Sequence, residues 1–267
     1  MRIGRARPAR SSVAPRYPAR TAHRHARSLD GRAKGAVTPQ MSAQGPFGPA
    51  ARESIGIPGV TDEKSRSAAL LGNVMGLVAI TVAFAALGVY VTRDWTGGGY
   101  FLFFIAAIGC IIGLNVAVKR SHGLALVFLF GLGLFMGMAI GPLINVYLDS
   151  NPTVVYQSAA ATALFIGAFG SYGYATRRDL SGWARGLFWV LLALIGFGIV
   201  LIFVNIPGGQ LIYSILGLGI FAAYTMFDFN RLKRAGQEMA IPLAASIFLD
   251  VFNVFLFFLQ IFGGSNR

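Results

Sequence analysis

The sequence predicts an all-α membrane protein with seven transmembrane helices. Three observations carry that expectation. Of its 267 residues, 55% are apolar and only 12% charged, with a mean hydropathy of +0.63, whereas soluble domains carry about 25% charged residues. Seven apolar runs follow one another after residue 67, each near the ~20 residues that cross a ~30 Å hydrocarbon layer as a helix. The polar breaks between them alternate in charge, as the positive-inside rule requires of a polytopic chain.

The expected spans are 68–92, 99–118, 123–148, 153–175, 184–204, 209–229 and 241–262. None alternates apolar and polar residues as barrel strands do. Backbone groups in lipid must bond within their own segment, so helices are expected. The breaks "VKRSHG" (118–123), "TRRDLSGWAR" (176–185) and "RLKRAGQE" (231–238) are basic, while those at 93–99, 148–152 and 204–209 carry no net charge or a negative one. The basic breaks and the N-terminus therefore belong on the cytoplasmic side. Seven full crossings leave Arg267 on the other side, unless the last segment bends back.

The net charge of +13 is unevenly placed: residues 1–67 hold 13 Lys+Arg against 4 Asp+Glu, and the rest hold 10 against 6. Two domains are expected, a disordered basic N-terminal arm over 1–67 and a seven-helix transmembrane domain over 68–264. Such an arm could bind nucleic acid or anionic lipid, or act as a transit peptide. Its interspersed prolines forbid a continuous amphipathic helix, which favours a solvated tail, and no nucleic acid is expected as a partner. Translation from Met41 instead of Met1 would leave a neutral segment before the first span. The single cysteine, Cys110, excludes an intrachain disulfide, and no secretory signal is evident.

Small residues recur at every fourth position in two spans: Gly133, Gly137 and Gly141 in the third, and Ala159, Ala163, Gly167, Ser171 and Ala175 in the fourth. Both stripes are expected to let helix backbones approach closely. Pro142 should kink the third span. Asn73, Asn115 and Asn145 are expected to bond between helices. In "RRDLSGW", Asp179 or Ser181 is expected to cap the fifth helix.

Two carboxylates stand apart from the rest. Of six acidic residues after position 67, Asp94, Asp149, Asp179 and Glu238 fall in breaks, whereas Asp228 and Asp250 lie within or against apolar runs. A charged aspartate at a helix centre costs about 2.5 to 3.5 kcal/mol on insertion scales. Asp250 stands nine residues beyond Ile241, about 14 Å along a helix, with Ser246 and Asn253 as its near polar neighbours. Asp228 has Arg231 at i+3 as an ion-pair partner. The short break between spans six and seven makes them antiparallel neighbours. Counting places Asp228 nearer the surface by about two turns, so contact requires span six to end deeper or span seven to start higher. Two carboxyls brought together cannot both ionise cheaply. Protonated, such a pair shares a hydrogen bond; ionised, it repels or attracts a cation.

Enzymatic chemistry finds little footing. Intramembrane aspartyl proteases carry Gly-x-Gly-Asp at one acid, and "IFLD" has no glycine. An intramembrane serine protease needs a histidine within a span, and His23, His25 and His122 all lie outside one. No HExxH, P-loop or paired-cysteine metal motif occurs. No enzymatic activity and no cofactor are expected.

"GSYGYATRRDLSGW" (170–183), "FDFNRLK" (227–233) and "IFLDVFNVFLFFLQIFGG" (247–264) closely resemble the Bax inhibitor-1, or transmembrane Bax inhibitor motif, family. The likeness is greatest to its bacterial inner-membrane branch and covers about residues 65–264. The resemblance implies six helices surrounding a central seventh, in a bacterial inner membrane. It also implies a pH-sensitive calcium-permeable leak governed by an aspartate pair matching Asp228 and Asp250, with calcium as the permeant ion. Asn253, Arg231 and Arg120 are the expected supporting residues, Arg120 because a basic residue at the end of span two can pair with the aspartates. Some bacterial relatives instead bind the membrane-anchored AAA protease, so that protease is the alternative partner beside the lipid bilayer. Two positions depart from the family pattern: Phe227 stands where a tyrosine often precedes the aspartate, and Gln260 where a basic residue is common. Calcium prefers six to eight oxygens and two carboxylates supply at most four, so Asp228 and Asp250 would form a weak calcium site suited to passage.

Overall fold

The computed structural model describes residues 60–95 and 98–264, with side chains from Ser65 onward. Of the expected arm, residues 1–59, including both candidate start methionines, lie outside the described residues. The elements are α1 (Val60–Val91), α2 (Tyr100–Ala117), α3 (His122–Ser150), α4 (Pro152–Ala175), α5 (Trp183–Phe203), α6 (Gly209–Arg234), a 3₁₀ turn (Gln237–Met239) and α7 (Ala240–Gly264). Among the described residues there are seven helices long and apolar enough to cross a membrane, and no strand.

Two helices outrun their apolar stretches. α1 starts at Val60, ahead of its apolar span, because Asp, Glu, Lys, Arg and Ala are helix formers or favour the first turn. α6 continues five residues past the expected end at 229, with Arg231, Lys233 and Arg234 in its last turn, where cations complement the helix dipole. α7 is continuous to Gly264, so it does not bend back. Gly99 and Gly208, with φ of 110° and 72°, supply the left-handed turns that start α2 and α6, a conformation glycine adopts without steric cost.

α7 is the axis of the bundle. In its most apolar stretch 56% of residues are buried against 11% for α5. It touches α1, α2, α3, α4 and α6, while α5 packs behind α6. Phe248, Ile247, Leu243, Val254 and Leu259 are almost wholly buried, and within "LFFLQIF" Phe257 and Leu259 are buried, Gln260 is exposed and the rest are half-buried. Large apolar side chains such as Phe101, Leu164, Ile202 and Phe203 stand exposed on the perimeter, the surface that meets acyl chains.

The two small-residue stripes have different fates. Gly133 and Gly137 of α3 lie against the backbone carbonyls of Thr81 and Ala85, and Gly141 against the Thr92 hydroxyl, so a Cβ at any of them would overlap α1. The α3 stripe is a packing seam, as expected. In α4, however, Ala159, Ala163, Gly167, Ser171 and Ala175 are all exposed, and nothing lies within 4 Å of where a Gly167 Cβ would stand. α4 instead packs on α6 through the adjacent face, where Gly170 meets the Phe229 ring and Gly173 the Met226 backbone. Spacing reveals a smooth face but not what lies on it.

Of the three asparagines expected to bridge helices, one does. Asn73 Nδ2 donates to Gln237 Oε1 at 3.0 Å, whereas Asn115 Nδ2 donates to Ile111 O of its own helix at 2.8 Å. Asn145 Nδ2 is buried with no partner among the described residues.

Candidate functional site

The seam between α6 and α7 is a ladder of side-chain pairs. At the end away from the basic loops, Ser214 Oγ donates to Gln260 Oε1 at 2.6 Å. One turn on, the Phe257 ring lies where a Cβ on Gly217 would stand, and it packs against Phe221 at 5.8 Å between centroids and Tyr213 at 5.5 Å. Further along, Thr225 stands beside the Asp250 carboxyl. The last polar rung joins Ser246, whose hydroxyl donates to Asp228 Oδ2. The first and last steps advance three residues on α6 and retreat three or four on α7, and the middle step covers about two turns on each, the repeat of antiparallel helices packed face to face.

This register brings the two aspartates together. Asp228 is 2% exposed and Asp250 3%, and Asp250 lies within electrostatic reach of Asp228. The longer α6 reduces the depth mismatch counted from the apolar runs from about two turns to one. Asp228 lies six residues before the end of α6 and Ser246 six after the start of α7, each about 9 Å in at 1.5 Å per residue. Asp250 is one turn deeper. Thr225 Oγ1 and Asp250 Oδ2 are both buried and lie close together without a well-formed hydrogen bond to each other or to another described group. The Tyr224 phenol lies within reach of both carboxyls.

The three supporting residues fare differently. Arg231 is exposed and within electrostatic reach of Asp228, but the ion pairs among the described residues are Arg93–Asp94 and Arg234–Asp179 only. Asn253 does not face the pair through a bond: its Nδ2 donates to Leu249 O of its own helix at 2.8 Å. Arg120 is exposed beyond the end of α2, and α2 meets α7 only marginally, so no cation from that helix reaches the aspartates here. Among the described residues no group of three or more His, Cys, Asp or Glu could hold a metal ion.

A second cluster forms where α6 meets the α4–α5 loop. Asn230, 2% exposed, accepts from Leu180 N at 3.2 Å and donates to Gly173 O at 3.2 Å and Arg178 O at 3.1 Å. Arg234 donates to Arg178 O at 2.8 Å and pairs with Asp179 at 2.7 Å. Asp179 also accepts from Ser181 N at 2.9 Å. That backbone N–H first, the Ser181 hydroxyl second and Arg234 after them hold the Asp179 carboxyl below the usual carboxylate range. Neither Asp179 nor Ser181 caps α5, whose N-cap is Gly182 with no side-chain bond. Asn230 escaped the sequence reading, and so did Thr225. The available signal was position: Asn230 sits two residues beyond Asp228, about 200° round the helix, and so faces the opposite neighbour.

A bundle wound round one buried helix, with two carboxyls in its interior and its charged loops mostly at one end, defines a polytopic integral membrane protein. Residues 67–267 match the family model described as inhibitor of apoptosis-promoting Bax1, and the chain belongs to this Bax inhibitor-1 family. An uncharacterized protein of Pseudomonas aeruginosa is 32% identical over 208 residues, 75% of this chain and 91% of that one. An uncharacterized membrane protein of Vibrio cholerae is 27% identical across 78% of this chain and 84% of its own. The inner membrane protein YbhL of Escherichia coli is 26% identical across 60% and 72%. None of these three carries an enzyme's name.

Proposed function

We propose that the protein is a pH-sensitive, calcium-permeable leak of a bacterial inner membrane, its basic loops and N-terminus cytoplasmic, with Asp228 and Asp250 as sensor and weak calcium site. The observation that carries this is the approach of two buried carboxyls from neighbouring helices, one with an oxygen that no described group satisfies. A buried polar atom left unpaired is expensive, so the pair is held for a task that packing alone does not supply. A shared proton would tie α6 to α7. Loss of that proton would leave two like charges that either part the helices or recruit a cation. Ser246 and Thr225 add two hydroxyl oxygens, and water would complete a calcium shell. Phe257 over Gly217 closes the seam beyond Asp250 in this structure, so passage requires α6 and α7 to separate there.

The test is calcium flux into liposomes carrying the full-length protein, at two pH values either side of neutrality. Wild type is expected to differ between the two, and Asp250→Asn to flatten the difference. Flux that ignores both aspartates would reject the proposal. The alternative, a partner of the membrane-anchored AAA protease, would act through the basic arm. Deleting residues 1–59 should then abolish association with the protease and leave the flux intact.

A further inference from the structure

A groove of about 1120 Å³ runs down the side of the bundle, away from the α6–α7 seam. α1 forms one wall, α4 the other, and Val251, Phe252 and Phe255 of α7 its floor. α1 and α4 pack mainly on α3, α6 and α7 and meet each other where the Tyr174 hydroxyl donates to Ser67 Oγ at 3.2 Å, so from that bond toward Arg93 the groove opens sideways, where acyl chains lie. Its α4 wall is the exposed stripe that contains Ala163 and Gly167, smooth because its side chains are small. An apolar cleft open to hydrocarbon is filled by a lipid chain, and what gives this one chemical selectivity is its polar end.

One buried donor without a partner and one half-exposed guanidinium stand there. Asn145 lines the groove, and its Nδ2 is buried without a partner among the described residues. Arg93 lines the mouth, with its guanidinium 4.4 Å from the Tyr90 ring centroid. Its Nε donates to Asp94 at 3.0 Å and the side chain is half exposed, so its Nη side is open to a further acceptor. A guanidinium fork suits phosphate, and a buried amide N–H₂ needs a carbonyl. Their depths differ in the matching order: Arg93 lies beyond the end of α1, and Asn145 five residues inside the end of α3, about 8 Å in. From the mouth inward the groove presents a phosphate ligand, an ester-carbonyl ligand and then an apolar channel.

We propose that this groove is a binding site for one glycerophospholipid of the surrounding bilayer, with its phosphate on Arg93, an ester carbonyl on Asn145 and an acyl chain along the Ala163–Gly167 wall. Native mass spectrometry of the full-length protein in detergent tests it, with phosphatidylglycerol, a diacylglycerol of the same chains and free oleate titrated in parallel. One phosphatidylglycerol should be retained at least tenfold more tightly than either competitor. Gly167→Trp, whose side chain enters open groove, should remove that adduct, with elution and thermal unfolding as in wild type. Arg93→Gln, at the surface, should bring phosphatidylglycerol down to the diacylglycerol level whether or not the tryptophan variant folds. Asn145→Leu should weaken both esters about tenfold and leave oleate unchanged. Retention undiminished by Gly167→Trp, or diacylglycerol or oleate bound as tightly as phosphatidylglycerol, would overturn the assignment.

Discussion

Ser246 donates its hydroxyl hydrogen to Asp228 across the α6–α7 seam, at matched depth from the two helix ends. That bond fixes the register of the ladder. It places Asp250 one turn deeper, beside Thr225, and lets Ser214 meet Gln260 at the far end. A buried carboxyl with one good donor is tolerated, and the same carboxyl without it is not.

Ser246→Ala should therefore destabilise the bundle by about 1–3 kcal/mol, the penalty for orphaning a buried polar group. Equilibrium unfolding in detergent measures this. Ser246→Thr, which keeps the hydroxyl, should recover most of the loss. An equal loss in both variants would mean that side-chain fit, not the hydrogen bond, sets the effect.

The contrast between the glycine stripes gives a paired prediction. At Gly137 a Cβ would collide with the Ala85 carbonyl, while at Gly167 it would meet nothing. Gly137→Ala forces α1 and α3 apart and should cost about 1–3 kcal/mol, the usual penalty of overpacking. Gly167→Ala should leave stability unchanged or raise it slightly, since alanine is the better helix former. Thermal unfolding of the two variants side by side gives the comparison, and similar melting temperatures would contradict the seam.

The central place of α7 came from the family resemblance, whereas helix number and order were legible because apolar run length and loop charge report directly on what lipid and water demand of each segment. The carboxyl pair was legible for the same reason: Asp228 and Asp250 break runs that otherwise tolerate no charge. Their alignment was not, because α6 ends where Arg231, Lys233 and Arg234 satisfy its last turn, beyond the apolar boundary from which depth was counted. The α4 stripe was misread as a helix-packing face because small residues admit a helix or a lipid chain equally. Arg120 was misplaced because nothing in a loop's composition says how far it stands from a neighbouring helix.

Asn230 ties the two motifs "GSYGYATRRDLSGW" and "FDFNRLK" to each other. It satisfies three backbone groups of the first from a position within the second. Asn230→Leu fills similar volume but strands the Leu180 N–H and removes a donor from Gly173 O, while Arg178 O keeps Arg234. The expected loss is about 1–3 kcal/mol for the buried N–H, with faster hydrogen exchange at Leu180 and Ser181. Hydrogen exchange confined to wild-type rates in that loop would show that Lys233, which donates to Thr176 O at 3.4 Å, and Arg234 suffice to hold it.

Asp179 offers a titration outside the membrane. Its carboxyl accepts the Ser181 N–H, is held next by the Ser181 hydroxyl and, to a smaller degree, feels Arg234, and all three favour the ionised form. The folded-state pKa is thus below the unfolded value of about 3.9. Such a group stabilises the fold fully above its unfolded pKa, and that contribution fades as pH falls through the folded one. The stability gap between wild type and Asp179→Asn should therefore be constant near neutrality and shrink in acid. Carbon-13 NMR of the carboxyl gives the pKa directly. Because a fixed backbone donor is the larger cause, 1 M salt, with a screening length of about 3 Å, should leave most of the depression in place. A pKa that returns to the ordinary value in salt would transfer the effect to Arg234.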